Sequence, residues 1–139
     1  EEGQIELRPR PRSPGEQPLP ETGTLLWGRF EILCRLTEAP PGPDTITLRR
    51  DAGPLRVSVC RGTERMELPG SRGGRSVKRL FADRGIPVWQ REDLPAVYAG
   101  QRIAAVWKVG VDRAFLPRPG EKALQIEITE KGNETWERA

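Results

Sequence analysis

Histidine is missing from all 139 residues, and with it go the Ser-His-Asp and Cys-His constellations and the imidazole-based zinc sites. Cysteine is nearly missing too, with only Cys34 and Cys60 present. Both lie in alternating apolar contexts, which favours buried thiols over a disulfide or a redox pair. Catalytic residues, metal ligands and a resident cofactor are therefore not expected in this chain. No apolar run approaches the length that crosses a bilayer, so no membrane partner is expected. A secretory signal is also missing and the first residue is Glu1 rather than Met, so the chain reads as a piece of a longer, cytoplasmic protein.

Glycine and proline are abundant, at 15 and 14 residues, beside 35% hydrophobic and 31% charged residues. That balance predicts many short elements joined by turns, with strands outnumbering helices. The length suits one domain with one core. "RPRPRSPGEQPLP", Arg8 to Pro20, holds five prolines, which remove backbone donors and lock φ. Residues 1–22 are therefore expected to be an extended linker, with a basic arm touching nucleic acid as the alternative. A single domain is expected over 23–130 and a tail over 131–139.

Within the domain, "LLWGRFEILCRL" alternates with period 2, placing Phe30, Ile32, Cys34 and Leu36 on one side of a strand with a bulge expected at Gly28. "APPGPD" forces a turn. "TITLRR" and "PLRVSVC" follow as two strands, with "RDAG" between them reading as a hairpin. Met66 and Leu68 suggest a short edge strand, stopped at Pro69-Gly70. "AVYAGQRIAAVWKVGV" reads as two strands about a turn at Ala99-Gly100, the second apolar enough to lie inside a sheet. "ALQIEIT" adds a last strand with Leu124, Ile126 and Ile128 on one face.

Between them the pattern turns helical. Ser76 is a good N-cap, Val77, Leu80 and Phe81 fall at i, i+3 and i+4, and Gly85 is a stop signal. The helix is about two turns long, with Lys78 and Arg79 on its outward half and Arg84 flanking the apolar face. A second short helix is expected from Pro87. The fold class is thus α+β: strand-rich, sandwich-like antiparallel or mixed sheets with two or three short helices.

The net charge is only +3, but Arg72, Arg75, Lys78, Arg79 and Arg84 stand against the single acid Asp83. Most such runs are a solvated face. Here the cations crowd the amino end of a helix, which already carries about half a positive charge, so each costs about 0.3 to 1 kcal/mol. A bound anion reverses that sign, because amides at a helix start can donate to a phosphate beside the cationic side chains. Gly73 and Gly74 either let the backbone approach a phosphate closely or supply φ > 0 in a turn. Neither the Walker pattern nor a dinucleotide fingerprint is present. A nucleic-acid backbone fits better, since spread surface cations can track successive phosphates. Trp89 and Tyr98 could stack on bases, but their apolar neighbours favour a core role.

"GGRSVKRLFADRGIPVWQREDLPAVYAGQRIAAV", residues 73–106, resembles the C-terminal domain of bacterial tRNA(Ile)-lysidine synthetase. The matching positions are Gly73, Gly74, Arg75, Lys78, Arg79, Leu80, Gly85, Ile86, Pro87, Trp89, Arg91, Pro95, Gly100 and Ile103. Val88 and Gln90 stand where the family favours proline and leucine, and "VWKVG" replaces a smaller, glycine-containing strand end. The resemblance implies a parent enzyme, an ATP-dependent carbon-nitrogen ligase using ATP with Mg, that adenylates the wobble cytidine of an isoleucine tRNA and joins lysine to it. That activity belongs to an N-terminal domain with a Ser-Gly-Gly-x-Asp-Ser loop, which these residues do not contain. The implied role here is to hold the tRNA acceptor stem, on a fold similar to the RNA-associated domain of phenylalanyl-tRNA synthetase. Candidate RNA-binding residues are Arg72, Gly73, Gly74, Arg75, Ser76, Lys78, Arg79 and Arg91, the last equally readable as an ion pair with Glu92 or Asp93. The rival expectation is a protein-interaction domain whose basic face docks on an acidic surface, such as the N-terminal catalytic domain of its own parent chain.

Overall fold

The alternation of "FEILCRLT" becomes the strand Phe30–Thr37 in a computed structural model that describes residues 15–39 and 45–131. Phe30, Ile32 and Cys34 are buried along it, as period 2 demands when one face packs on a core. In chain order the strands are β1 Gln17–Pro18, β2 Gly23–Trp27, β3 Phe30–Thr37, β4 Thr45–Arg49, β5 Leu55–Ser58, β6 Arg65–Met66 and β7 Arg75–Ser76. Helices α1 Val77–Asp83 and α2 Val88–Arg91 follow, then β8 Ala96–Ala99, β9 Arg102–Val106, β10 Gly110–Val111, a 3-10 turn at Arg113–Phe115, and β11 Ala123–Glu130.

The strands form one sheet in the order β1-β5-β8-β9-β10, a second in the order β2-β3-β11-β4, and a small β6-β7 hairpin. Every described pairing is antiparallel. The two sheets share one core, which also takes Val77, Leu80 and Phe81 from α1. Phe30 on β3 meets Trp107, just past β9, edge to face at 5.3 Å, so an aromatic contact ties one sheet to the other. β11 lies between β3 and β4 and pairs along its length with β3, Ile126 opposite Cys34 and Ile128 opposite Ile32. Leu124, Ile126 and Ile128 are buried, as expected.

Four local expectations change. "RDAG" does not close a hairpin: Ala52 N donates to the Arg49 carbonyl in a turn, but β4 and β5 belong to different sheets. Gly28 is not a bulge but the first residue of a two-residue turn, with Trp27 opposite Phe30 and φ 62°, as a type II′ hairpin requires. Gln17 and Pro18, expected in the linker, pair with Val57 and Arg56 on the edge of the first sheet. The run after Gly100 divides at Trp107-Lys108, so β10 folds back on β9. The turn residues Pro40 to Asp44, the arm from Arg8 to Arg12 and the tail beyond Lys131 lie outside the described residues. Cys34 and Cys60 are free thiols, buried and half-buried. No described helix is long and apolar enough to cross a membrane.

Candidate nucleic-acid interface

The strand-to-helix corner forms because β6 and β7 pair, Arg65 opposite Ser76 and Met66 opposite Arg75, which delivers the chain directly into α1. Ser76 has extended backbone and its hydroxyl accepts from Arg79 N at 3.1 Å, the N-cap expected from sequence. Val77, Leu80 and Phe81 face the core, and packing that face leaves Lys78 and Arg79 exposed. At the far end Arg84 N and Gly85 N donate back to helix carbonyls, and Gly85 has φ 71°, the left-handed stop that glycine permits.

The amides at the start of α1 are not available to an anion. Val77 N donates to the Glu64 carbonyl at 2.8 Å and Lys78 N to the Gly62 carbonyl at 3.0 Å, while Arg79 N is taken by Ser76. The expectation of outward amides cradling a phosphate is thereby corrected, because an upstream loop already satisfies them. That loop is held by Glu64, whose carboxylate accepts from Arg61 N, from Gly62 N at 2.9 Å and from the Tyr98 hydroxyl at 2.6 Å. Burial alone would raise the Glu64 pKa, but the bonds from Tyr98, Arg61 and Gly62 outweigh it and hold it below the usual value. Tyr98 is pushed up by burial and by the same carboxylate. It is core, as expected, and a β-bulge between Val97 and Tyr98 accompanies its placement.

What remains for an anion is side chains. Arg72, Arg75, Lys78 and Arg79 are all exposed. Arg79 pairs with Asp83 at 3.3 Å, but both partners are largely solvated, and such i,i+4 pairs contribute only about 0.3 to 0.5 kcal/mol. Gly73 has φ 79° with open space around it, so the turn itself requires glycine there. A Cβ on Gly74 would meet the Arg65 and Glu67 side chains and the Met66 carbonyl at ordinary contact distance. Arg91 stands apart: it is half-buried, its Nε donates to the Ile86 carbonyl at 2.8 Å, and its guanidinium lies 5.6 Å from the Phe81 ring centroid. It fastens α2 to α1.

Two features escaped the sequence reading. Arg65 joins the basic group, exposed and bonded through Nη2 to the Gly74 carbonyl at 2.8 Å; only the β6-β7 pairing reveals this. Trp89, read as core from its neighbours, is 62% exposed and sits beside Val88 at 68%. A one-turn helix cannot turn both away from solvent. Among the described residues no cluster of acids and cysteines could hold a metal ion.

A family model described as "TilS substrate C-terminal domain" matches residues 55–128, just over half of the chain and all of the basic corner. The tRNA(Ile)-lysidine synthase of Burkholderia pseudomallei is 45% identical over 60 residues, covering 43% of this chain and 12% of that protein. The Ralstonia nicotianae protein of the same name is 32% identical over 97 residues, 62% of this chain and 21% of the relative. That of Symbiobacterium thermophilum is 31% identical over 114 residues, 79% and 23% respectively. The chain thus spans between 12% and 23% of the length of these relatives. A solved structure described as the TilS C-terminal domain superposes with a TM-score of 0.62 at 23% identity, covering 84% of this chain and 91% of the other, which is a likeness of fold.

Proposed function

The chain belongs to the family of TilS substrate C-terminal domains, and on that footing we propose that it is the module of a tRNA(Ile)-lysidine synthase that grips the acceptor stem of an isoleucine tRNA. The parent enzyme's chemistry, conversion of the wobble cytidine to lysidine with ATP and lysine, is assigned to the rest of the parent chain, in the cytoplasm. The supporting observation is the group of exposed cations, Arg72, Arg75, Lys78 and Arg79, on one strand-to-helix corner, joined across the hairpin by Arg65. With the helix amides occupied, contact is electrostatic and runs through side chains, which positions a phosphate backbone without reading bases. Ser76, Gly73 and Gly74 shape the corner, and Arg91 supports it from behind. A likeness of fold to the RNA-associated domain of phenylalanyl-tRNA synthetase is part of the same proposal.

The test is affinity for an RNA minihelix against salt, measured by fluorescence anisotropy. About three phosphate contacts give a slope of log affinity on log salt of roughly 2 to 3 in magnitude. Arg79→Ala and Lys78→Gln each lower that slope by about 1 with little change in stability. A slope near zero rejects the proposal.

A second reading is favoured by Val88 and Trp89, whose exposure next to the basic helix resembles the apolar centre of a protein interface with a charged rim. On that reading the corner docks on an acidic face of the parent's catalytic domain. Tight association with that domain in the absence of tRNA, abolished by Trp89→Ala, supports it.

A further inference from the structure

Near the carboxyl end of α1, about 220 Å³ of open space is bounded by Arg84, the β9–β10 turn and the start of β4. Its described lining includes two cations, Arg84 and Lys108, and no carboxylate. Three other cavities of the described residues mix acids with cations: Glu21 and Asp51 with Arg50 in one, Glu38, Asp51 and Glu121 with Arg50, Arg118 and Lys122 in another, and Glu16 and Glu64 with Arg56 and Arg61 in the third. Of these four cavities among the described residues, the Arg84 cavity alone has a net positive lining.

Two further observations single it out. Trp107 also lines it, is 4% exposed, and its indole Nε1 has no hydrogen-bond partner among the described residues. A buried donor without an acceptor is costly and asks for a ligand or an ordered water. Lys108 sits at φ 71°, the one residue other than glycine with positive φ among those described. Such backbone strain in a lysine, where glycine would be relaxed, concentrates at working sites. Its ammonium lies 4.8 Å over the Trp107 ring, so cation and indole are neighbours.

We propose that this cavity is an anion seat taking one phosphate group of the RNA that α1 tracks, held by Arg84, Lys108 and the Trp107 indole N–H. The proposal rests on the reading of the basic corner as an RNA-binding surface. The volume lies below the range of about 300 to 1,000 Å³ common for whole small-molecule ligands, which suits a single group rather than a nucleotide cofactor. Arg84 directly follows α1, so the seat extends the row of cations beyond the helix's last turn. A guanidinium, an ammonium and one neutral donor supply charge and direction for a phosphodiester's two free oxygens.

The experiment uses the 139-residue chain labelled with ¹⁵N, following the four indole N–H signals. Trp107→Phe identifies its own signal. The probes are an RNA minihelix and, separately, inorganic phosphate. The Trp107 signal is expected to move on addition of RNA. Arg84→Gln and Lys108→Gly are each expected to weaken RNA binding about fivefold to tenfold near 0.1 M salt and to lower the salt slope by about 1. Lys108→Gly also relieves the backbone strain, so its thermal stability is at least that of the parent chain and lost binding is not lost folding. RNA binding weakened by Arg79→Ala but untouched by Arg84→Gln and Lys108→Gly overturns the seat and leaves the helix reading intact. A Trp107 signal that answers inorganic phosphate but not RNA overturns the assignment to RNA.

Discussion

Replacing Glu64 by glutamine tests how the basic corner is held together. The carboxylate accepts from two backbone amides and from the Tyr98 hydroxyl at 2.6 Å, while the loop it closes supplies the carbonyls that receive Val77 N and Lys78 N. Hydrogen bonds to a charged acceptor contribute about 1.5 to 3 kcal/mol each, and a buried hydroxyl losing its partner costs about 1 to 3 kcal/mol. Glutamine keeps one acceptor oxygen and Glu64 is only partly buried, so the net loss at pH 7 is about 2 kcal/mol. That corresponds to a fall of roughly 6 to 8 °C in Tm for a domain of this size. Urea unfolding followed by tryptophan fluorescence, repeated from pH 7 to pH 3.5, measures it. A carboxylate with a depressed folded pKa stabilises the fold above its unfolded pKa and loses that contribution as pH falls through the folded value. The Glu64 contribution is therefore complete above about 4.5, its unshifted value, and is lost below it. The gap between the two proteins should be widest at neutral pH and narrow toward pH 3.5. Equal stability at pH 7 within about 0.5 kcal/mol, or a gap that does not change with pH, refutes the assigned role.

Leu80 is 5% exposed, so Leu80→Ala should cost about 2 to 5 kcal/mol in urea unfolding; a loss under about 0.5 kcal/mol contradicts the orientation of α1. Gly110 has φ 146° and a Cβ there would lie 2.9 Å from Leu68 Cδ2, so Gly110→Ala should lower stability by about 1 to 3 kcal/mol, and an unchanged Tm counts against the packing of the β6-β7 loop on β10. Burial pushes both Cys34 and Cys60 up to about 11, leaving little thiolate at pH 7.5. A colorimetric thiol reagent should find almost nothing in the native chain and two thiols in urea.

The legible parts of the fold were those whose cause is local. Period 2 in "FEILCRLT" and "ALQIEITE" reflects one buried face, and the Ser76 cap with Leu80 and Phe81 is a pattern contained in six residues. The illegible parts have distant causes. "RDAG" carries the same turn residues whether its flanking strands pair together or part; β5 leaves for the other sheet because β8, far along the chain at Ala96–Ala99, pairs with it. The amides of α1 are silenced by carbonyls at Gly62 and Glu64, which no spacing rule connects to a helix start at Val77. Trp89 misled because apolar neighbours in sequence need not be neighbours in space. Within the candidate site, Arg72, Arg75, Lys78 and Arg79 could be named from charge clustering, but Arg65 needed a strand pairing and Trp107 with Lys108 needed a turn.

The interleaving of β11 between β3 and β4 dictates an order of events during synthesis. Until Ala123–Glu130 have emerged from the ribosome, β3 lacks its inner neighbour and β4 has no partner in its own sheet, so two apolar borders stand open while the residues before them are already made. Long-range closure of this kind is slow and leaves the nascent molecule adhesive. A polypeptide halted at Pro119 should be digested rapidly by protease, whereas one completed through Lys131 should resist. Resistance in the shorter product would mean that the second sheet assembles without its last-made strand.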